Sequence, residues 1–98
     1  MSSLSLEQRQ EIIKKYQRNE GDTGSPEVQV ALLSARIKKL SSDHFSSHKK
    51  DYASLRGLSR MNTTRRSLLR YLNRKSPERY LSLIDSLGIR DYLGVRKK

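Results

Sequence analysis

Apolar residues fall along this chain with helical spacing, in four blocks separated by short polar breaks. The first block is small, with Ile12, Ile13 and Tyr16 on one face. In the second, Val30, Leu33, Ile37 and Leu40 follow a 4-3-4 spacing, while Val28, Ala31, Leu32 and Ala35 form another apolar side near its start. A helix that is apolar on two sides packs between neighbours. The third block puts Leu55, Leu58, Met61, Leu68, Leu69 and Leu72 on one broad face at about 100° per residue. The fourth presents Tyr80, Leu81, Ile84 and Leu87 inward. No strand-like alternation and no internal repeat accompany these blocks, so the pattern predicts an all-α protein.

Local signals set the helix limits. Ser5 with Gln8 three residues later is a capping-box start, and Asn19-Glu20-Gly21 ends the first helix. Ser25-Pro26-Glu27 supplies a cap, a proline suited to the first helical position and an acid that complements the helix dipole. The second helix then runs to about Asp43 and the third from about Asp51 to Arg74. Ser76-Pro77-Glu78 repeats the same start, and Gly88-Ile89 reads as a Schellman-type stop. Because the connector from Phe45 to Lys50 is short, the third helix must return antiparallel to the second. The expected fold is a four-helix protein: an antiparallel three-helix core of helices 2 to 4, with the short N-terminal helix packed at one end. Residues 1–90 form one domain, and Asp91 to Lys98 form a basic C-terminal tail with a loose end.

Composition narrows the function. The chain has 98 residues, is 34% hydrophobic, and has no cysteine to build a disulfide or a cysteine-ligated zinc site. No apolar run approaches a membrane span, and the N-terminus lacks the apolar segment of a signal peptide, so an intracellular protein without membrane partners is expected. A formal net charge of +11 in so short a chain points to a polyanion. Residues 51 to 75 hold seven basic and one acidic residue, which places +6 of that charge in the third helix. Twelve of the 21 basic residues are arginine, whose planar fork suits phosphates and base edges.

These arginines line up. Directly opposite the leucine face lie Arg56, Arg60, Thr63, Ser67, Arg70 and Arg74, with Tyr71 at the flank of the strip or in the core. Arg65 falls on the apolar side, where its stem packs while its head reaches out. The antiparallel return brings Arg70, Tyr71 and Arg74 back beside Gly21-Asp22-Thr23-Gly24-Ser25, a glycine loop running into a helix start. Free amides at such a start are natural anion partners, although no lysine follows the glycines at P-loop spacing. Gln29 and Arg36 share the polar edge of Ser25. One end of the bundle thus gathers Thr23, Gly24, Gln29, Arg70, Tyr71 and Arg74.

The opposite end gathers His44, His48, Lys49, Lys50, Asp51 and Ser54, about 25–30 Å away along the rod. His44 either ends the apolar stripe as a core histidine or contacts a ligand. The His44/His48 pair has the i, i+4 spacing of metal ligands, but a full site needs more donors than the chain offers, and no metal or cofactor is expected. Lys49 and Lys50 suit phosphates. Asp51 is either the cap of helix 3 or an acceptor for an exocyclic amine on a base edge.

The run Gly21-Asp22-Thr23-Gly24-Ser25-Pro26-Glu27-Val28-Gln29-Val30-Ala31-Leu32-Leu33 closely resembles the bacterial-type small-subunit ribosomal protein fifteen family. So do His48-Lys49-Lys50-Asp51 with Ser54, Arg56-Gly57-Leu58, Arg65-Arg66, Leu68-Leu69-Arg70-Tyr71-Leu72, Pro77-Glu78-Arg79-Tyr80 and Leu87-Gly88-Ile89-Arg90. The resemblance spans about residues 7 to 90, in order. It implies a four-helix protein that binds small-subunit rRNA early in assembly, clamping a three-helix junction and touching a shallow minor groove at G-U and G-C pairs. By matching position the junction residues are Thr23, Gly24, Gln29, Tyr71 and Arg74, joined on the same surface by Arg36 and Arg70. The minor-groove residues are His44, Asp51 and Ser54, with His48 beside them. Phosphate contacts are expected from Lys49, Lys50, Arg56, Arg60, Arg65 and Arg66. The resemblance also implies neighbouring small-subunit proteins, large-subunit rRNA at an intersubunit bridge and the protein's own messenger RNA as partners, in the cytoplasmic ribosome of a bacterium or in an organelle ribosome.

This sequence departs from that pattern in four places. One extra residue stands between Leu40 and His44, the basic run of helix 3 is thinned around Arg65-Arg66, Tyr52 and Ala53 replace histidines, and the tail after Arg90 is longer. The competing reading is a helix-turn-helix DNA-binding protein, whose recognition helix concentrates its contacts at its N-terminal end. Here the arginines run the length of helix 3. No nucleophile–base pair or metal set supports an enzyme.

Overall fold

The structure, a computed structural model, describes residues 4–22, 24–43 and 52–96. Within them the chain forms α1 (Leu6–Tyr16), α2 (Pro26–Asp43), α3 (Tyr52–Lys75) and α4 (Pro77–Leu87), with no strand among the described residues. The expected helices are all present, and the starts of α1 and α4 follow from their caps. At α1 the Ser5 hydroxyl accepts from the Gln8 amide at 3.1 Å while the Gln8 side chain accepts from the Ser5 amide at 2.9 Å, a complete capping box. Ser76 accepts from the Arg79 amide at 3.3 Å ahead of Pro77 at the opening of α4. At its end Gly88 takes the left-handed conformation, φ 69°, and the Ile89 amide donates to the Ile84 carbonyl at 2.9 Å. That is the predicted Schellman closure, and a residue with a Cβ would be strained there.

The core lies between α2, α3 and α4. Val30 from α2, Leu69 and Leu72 from α3, and Tyr80, Leu83 and Ile84 from α4 form one buried cluster. Residues 30 and 34 of α2 meet residues 69–72 and 65 of α3 respectively, so the two helices run antiparallel as expected. Leu83 was not part of the expected α4 face; Leu81 and Leu87 are only partly buried, because the inner face is centred between Tyr80 and Leu83. Helix α1 buries no residue fully; Tyr16 reaches the core edge, and its hydroxyl shares a 2.8 Å hydrogen bond with Ser86 of α4. The helix stops at Tyr16, three residues before the predicted break, with Gln17 already extended.

Two cross-links fix the orientation of α4. Arg79 Nε donates to Glu27 Oε2 at 2.6 Å and its Nη2 donates to Oε1 at 2.7 Å, joining the first turns of α2 and α4. Burial works against the Glu27 charge, but the bond from Arg79 and its positive charge outweigh it and lower the pKa. At the other end, residues 91–96 fold back onto the helices. The Asp91 carboxylate accepts from the Tyr80 hydroxyl at 2.9 Å and from the amides of Val95 and Arg96 at 3.2 and 2.9 Å. Leu93 and Val95 pack on the core, and Arg96 pairs with Asp85. The described part of the tail is therefore a folded strap.

Candidate nucleic-acid interface

Helix α3 carries the charge. Arg56, Arg60, Thr63, Ser67, Arg70 and Arg74 are all exposed, as their common side of the helix predicts. From Arg56 to Arg74 the row extends about 27 Å at 1.5 Å per residue. Tyr71 is 46% exposed, which puts it with the strip and not in the core. Lys75 places its ammonium 5.5 Å from the Tyr71 ring centroid, so a cation lies on the aromatic flank of the strip. Thr63 donates its hydroxyl proton to the Ser59 carbonyl at 3.0 Å.

The loop that opens α2 leads into the helix packed antiparallel to this row's own. Gly21 has φ 89°, a conformation that favours glycine. Asp22 organises the rest: one carboxylate oxygen accepts from the Arg18 amide at 3.0 Å, the other from the amides of Gly24 and Ser25 at 3.1 and 2.9 Å. These bonds, the Arg18 amide first, pull the Asp22 pKa from 3.8 down to about 2. The expected anion seat at this helix start is thus filled from within. Ser25 accepts from the Val28 amide at a long 3.4 Å, a weaker cap than the sequence implied. Gln29 donates to the Gly24 carbonyl at 2.6 Å and so braces the same loop. The importance of Asp22 was legible as an aspartate flanked by Gly21 and Gly24, a favoured turn residue, but its three partners were not.

The remaining site residues distribute as follows. Arg36 is exposed on α2, about 10 Å further along than Gln29 at the helical rise. It borders a shallow hollow of about 280 Å³ shared with Leu4, Arg9 and Leu32. Arg65 is partly buried, but its head does not reach out freely as predicted. Its guanidinium donates to Ser34 Oγ of α2 at 3.2 Å and to Asn62 Oδ1 at 3.1 Å. Burial first, and then the charge of Arg66, lower its pKa. Neither of these hydrogen-bond partners is a carboxylate. Arg66 is exposed, and its guanidinium lies 5.8 Å from the Tyr92 ring centroid. Thr23, His44, His48, Lys49, Lys50 and Asp51 lie outside the described residues, and Ser54 falls in the first turn of α3 with its side chain outside them. Among the described residues no group of three His, Cys, Asp or Glu side chains could hold a metal ion, and no helix is long and apolar enough to cross a membrane.

A small helical bundle with an exposed arginine row on one helix and an internally braced loop opening its antiparallel neighbour defines a basic scaffold of the kind that meets a structured polyanion. Comparison with known proteins makes this specific. Residues 9–90 match the family model for ribosomal protein S15, and the chain belongs to that family. The small ribosomal subunit protein uS15 of Alkalilimnicola ehrlichii is 58% identical over 88 residues, covering 90% of this chain and 98% of that protein. The uS15 proteins of Carboxydothermus hydrogenoformans, at 54% over the same shares, and Psychrobacter arcticus, at 59% over 89% and 98%, are similar to it as well. Family membership sets aside the helix-turn-helix alternative.

Proposed function

We propose that this chain is a primary rRNA-binding protein of the small ribosomal subunit that clamps a three-helix junction with one end of its bundle and a nearby minor groove with the other. Its family is one of structural, non-enzymatic small-subunit proteins, so rRNA and neighbouring ribosomal proteins are its partners. The relatives named above are bacterial, which supports the cytoplasmic ribosome of a bacterium as its location. What supports the clamp is the exposed set Arg70, Tyr71 and Arg74 near the end of α3, a helix antiparallel to α2, whose opening at Gly24 is braced by Gln29. The row offers phosphate ligands over one face, and the loop offers a short, internally braced edge to a backbone turn.

In this reading Thr23, Gly24, Gln29, Arg36, Arg70, Tyr71 and Arg74 serve the junction. His44, His48, Asp51 and Ser54 read the minor groove, and Lys49, Lys50, Arg56, Arg60 and Arg66 hold phosphates, while Arg65 ties α3 to α2. Base edges in RNA are reachable in that wide, shallow groove, where a carboxylate accepts from a guanine amino group. Residues 1–90 constitute the rRNA-binding domain and residues 91–98 its basic extension. Binding helps to nucleate platform assembly; a bridge to large-subunit rRNA and repression of its own messenger follow the same family pattern. Chemical footprinting on small-subunit rRNA tests the reading. Protection at one junction and one groove segment a fixed distance away is expected, whereas uniform protection along duplex RNA would overturn it.

A further inference from the structure

The family match stops at residue 90, yet the six residues that follow are built into the fold. Asp91 draws three donors to its carboxylate, and Gly94, at φ 68°, turns the chain so that its amide returns to the Asp91 carbonyl at 3.2 Å. This turn delivers Tyr92 to α3. The Tyr92 hydroxyl donates to the Arg66 carbonyl at 2.7 Å, anchoring the ring, and the ring lies against the Arg66 guanidinium at 5.8 Å. Arg66 stands one turn before Arg70 and two before Arg74, so the three form an i, i+4 row, and all are exposed. An unsupported arginine on such a face loses much rotamer freedom when a phosphate captures it. An aromatic face held by the tail removes part of that loss beforehand while leaving the guanidinium edge open to hydrogen bonding.

We infer that Tyr92, in the strap beyond the family match, is a positioning residue that holds Arg66 in the row Arg66–Arg70–Arg74 as a preset phosphate ligand. The inference rests on the phosphate-binding reading of that row. It also gives the extension a role in RNA affinity that the helices alone do not supply.

The test is a double-mutant cycle on the full chain, with a three-helix-junction RNA as the probe and affinity measured across a salt series. Tyr92→Leu should weaken binding about two- to five-fold, the range of an exposed cation–aromatic contact. Tyr92→Phe, which keeps the ring, should retain most of the affinity. In the Arg66→Ala background, Tyr92→Leu should add nothing, because a residue acting through Arg66 has no effect once Arg66 is gone. An equal loss in both backgrounds overturns the positioning role and makes Tyr92 a general support of the fold. If Arg66→Ala changes neither affinity nor salt slope, the phosphate role of Arg66 itself fails, a separate result. A readout independent of RNA is the ring-current shift of the Arg66 side-chain protons in the free protein. It should persist in Tyr92→Phe and vanish in Tyr92→Leu, and its absence from the parent protein would also overturn the inference.

Discussion

Removing the Glu27–Arg79 pair should separate two costs that a single substitution confounds. Both guanidinium–carboxylate contacts are short, 2.6 and 2.7 Å, and the side chains are 13% exposed at Glu27 and 29% at Arg79. Fully exposed pairs contribute about 0.2–1 kcal/mol, while breaking a fully buried one costs about 3–5 kcal/mol. Two unit charges 4 Å apart attract by about 4 kcal/mol at an effective dielectric of 20, and desolvation with side-chain ordering returns roughly half of that. A coupling energy of about 2 kcal/mol follows. The single variants should be unequal. Arg79→Ala strands a mostly buried carboxylate, whereas Glu27→Ala leaves an arginine able to swing into water. In urea unfolding at neutral pH, Arg79→Ala should therefore be the more destabilising, and the double variant should lose about 2 kcal/mol less than the sum. For a domain of this size that coupling corresponds to about 8–16 °C in melting temperature. Because the Glu27 pKa is lowered in the folded state, the contribution is present above the unfolded carboxylate pKa, about 4.3, and lost as pH falls below it. A coupling below about 0.5 kcal/mol would refute the reasoning and make the pair an ordinary surface contact.

Other outcomes follow from the interface. Asp22, with its pKa near 2, stabilises the loop above its unfolded pKa of about 3.9 and loses that contribution as pH falls toward 2; amide shifts of Gly24 and Ser25 should titrate together in that window, and a midpoint near 4 would show the carboxylate to be free. Arg70→Ala and Arg74→Ala should each lower the salt slope of junction-RNA binding by about one, with unchanged slopes in both removing this end of α3 from the interface. Asp51→Ala should weaken binding to RNA carrying G-U/G-C pairs and spare RNA in which they are replaced, while Thr23→Val should weaken junction binding on both; equal loss by Asp51→Ala on both RNAs, with a lower melting temperature, would reduce Asp51 to a helix cap.

The helices were legible because their signals are local. Ser5 with Gln8, Ser76 with Pro77, and Gly88 with Ile89 each specify a boundary within a few residues, and the structure closes all three with the expected bonds. The arginine strip was legible for the same reason, since a helical period alone puts Arg56, Arg60, Arg70 and Arg74 on one side. Contacts between distant residues were not. Nothing in the periodicity of α2 announces that Glu27 faces Arg79, 52 residues later, or that Ser34 receives the head of Arg65. The tail was the largest omission, because a run with four Lys, Arg or Asp residues in eight reads as solvated chain. Its order comes from one carboxylate, Asp91, that collects donors from α4 and from its own turn.

The carboxylate of Asp22 has a consequence for how the protein would choose among RNAs. Asp22 occupies the amides of Gly24 and Ser25, so the tip that opens α2 offers no site for counterion exchange. In the proposed complex, contacts made by that tip depend on shape and not on cation release, whereas those of the arginine row on α3 are ionic. Grip and discrimination therefore reside on different atoms and answer to different conditions. Raising ionic strength should shorten the lifetime of every complex while the ratio between right and wrong junctions stays nearly constant, so the protein can be made to let go without being made to err.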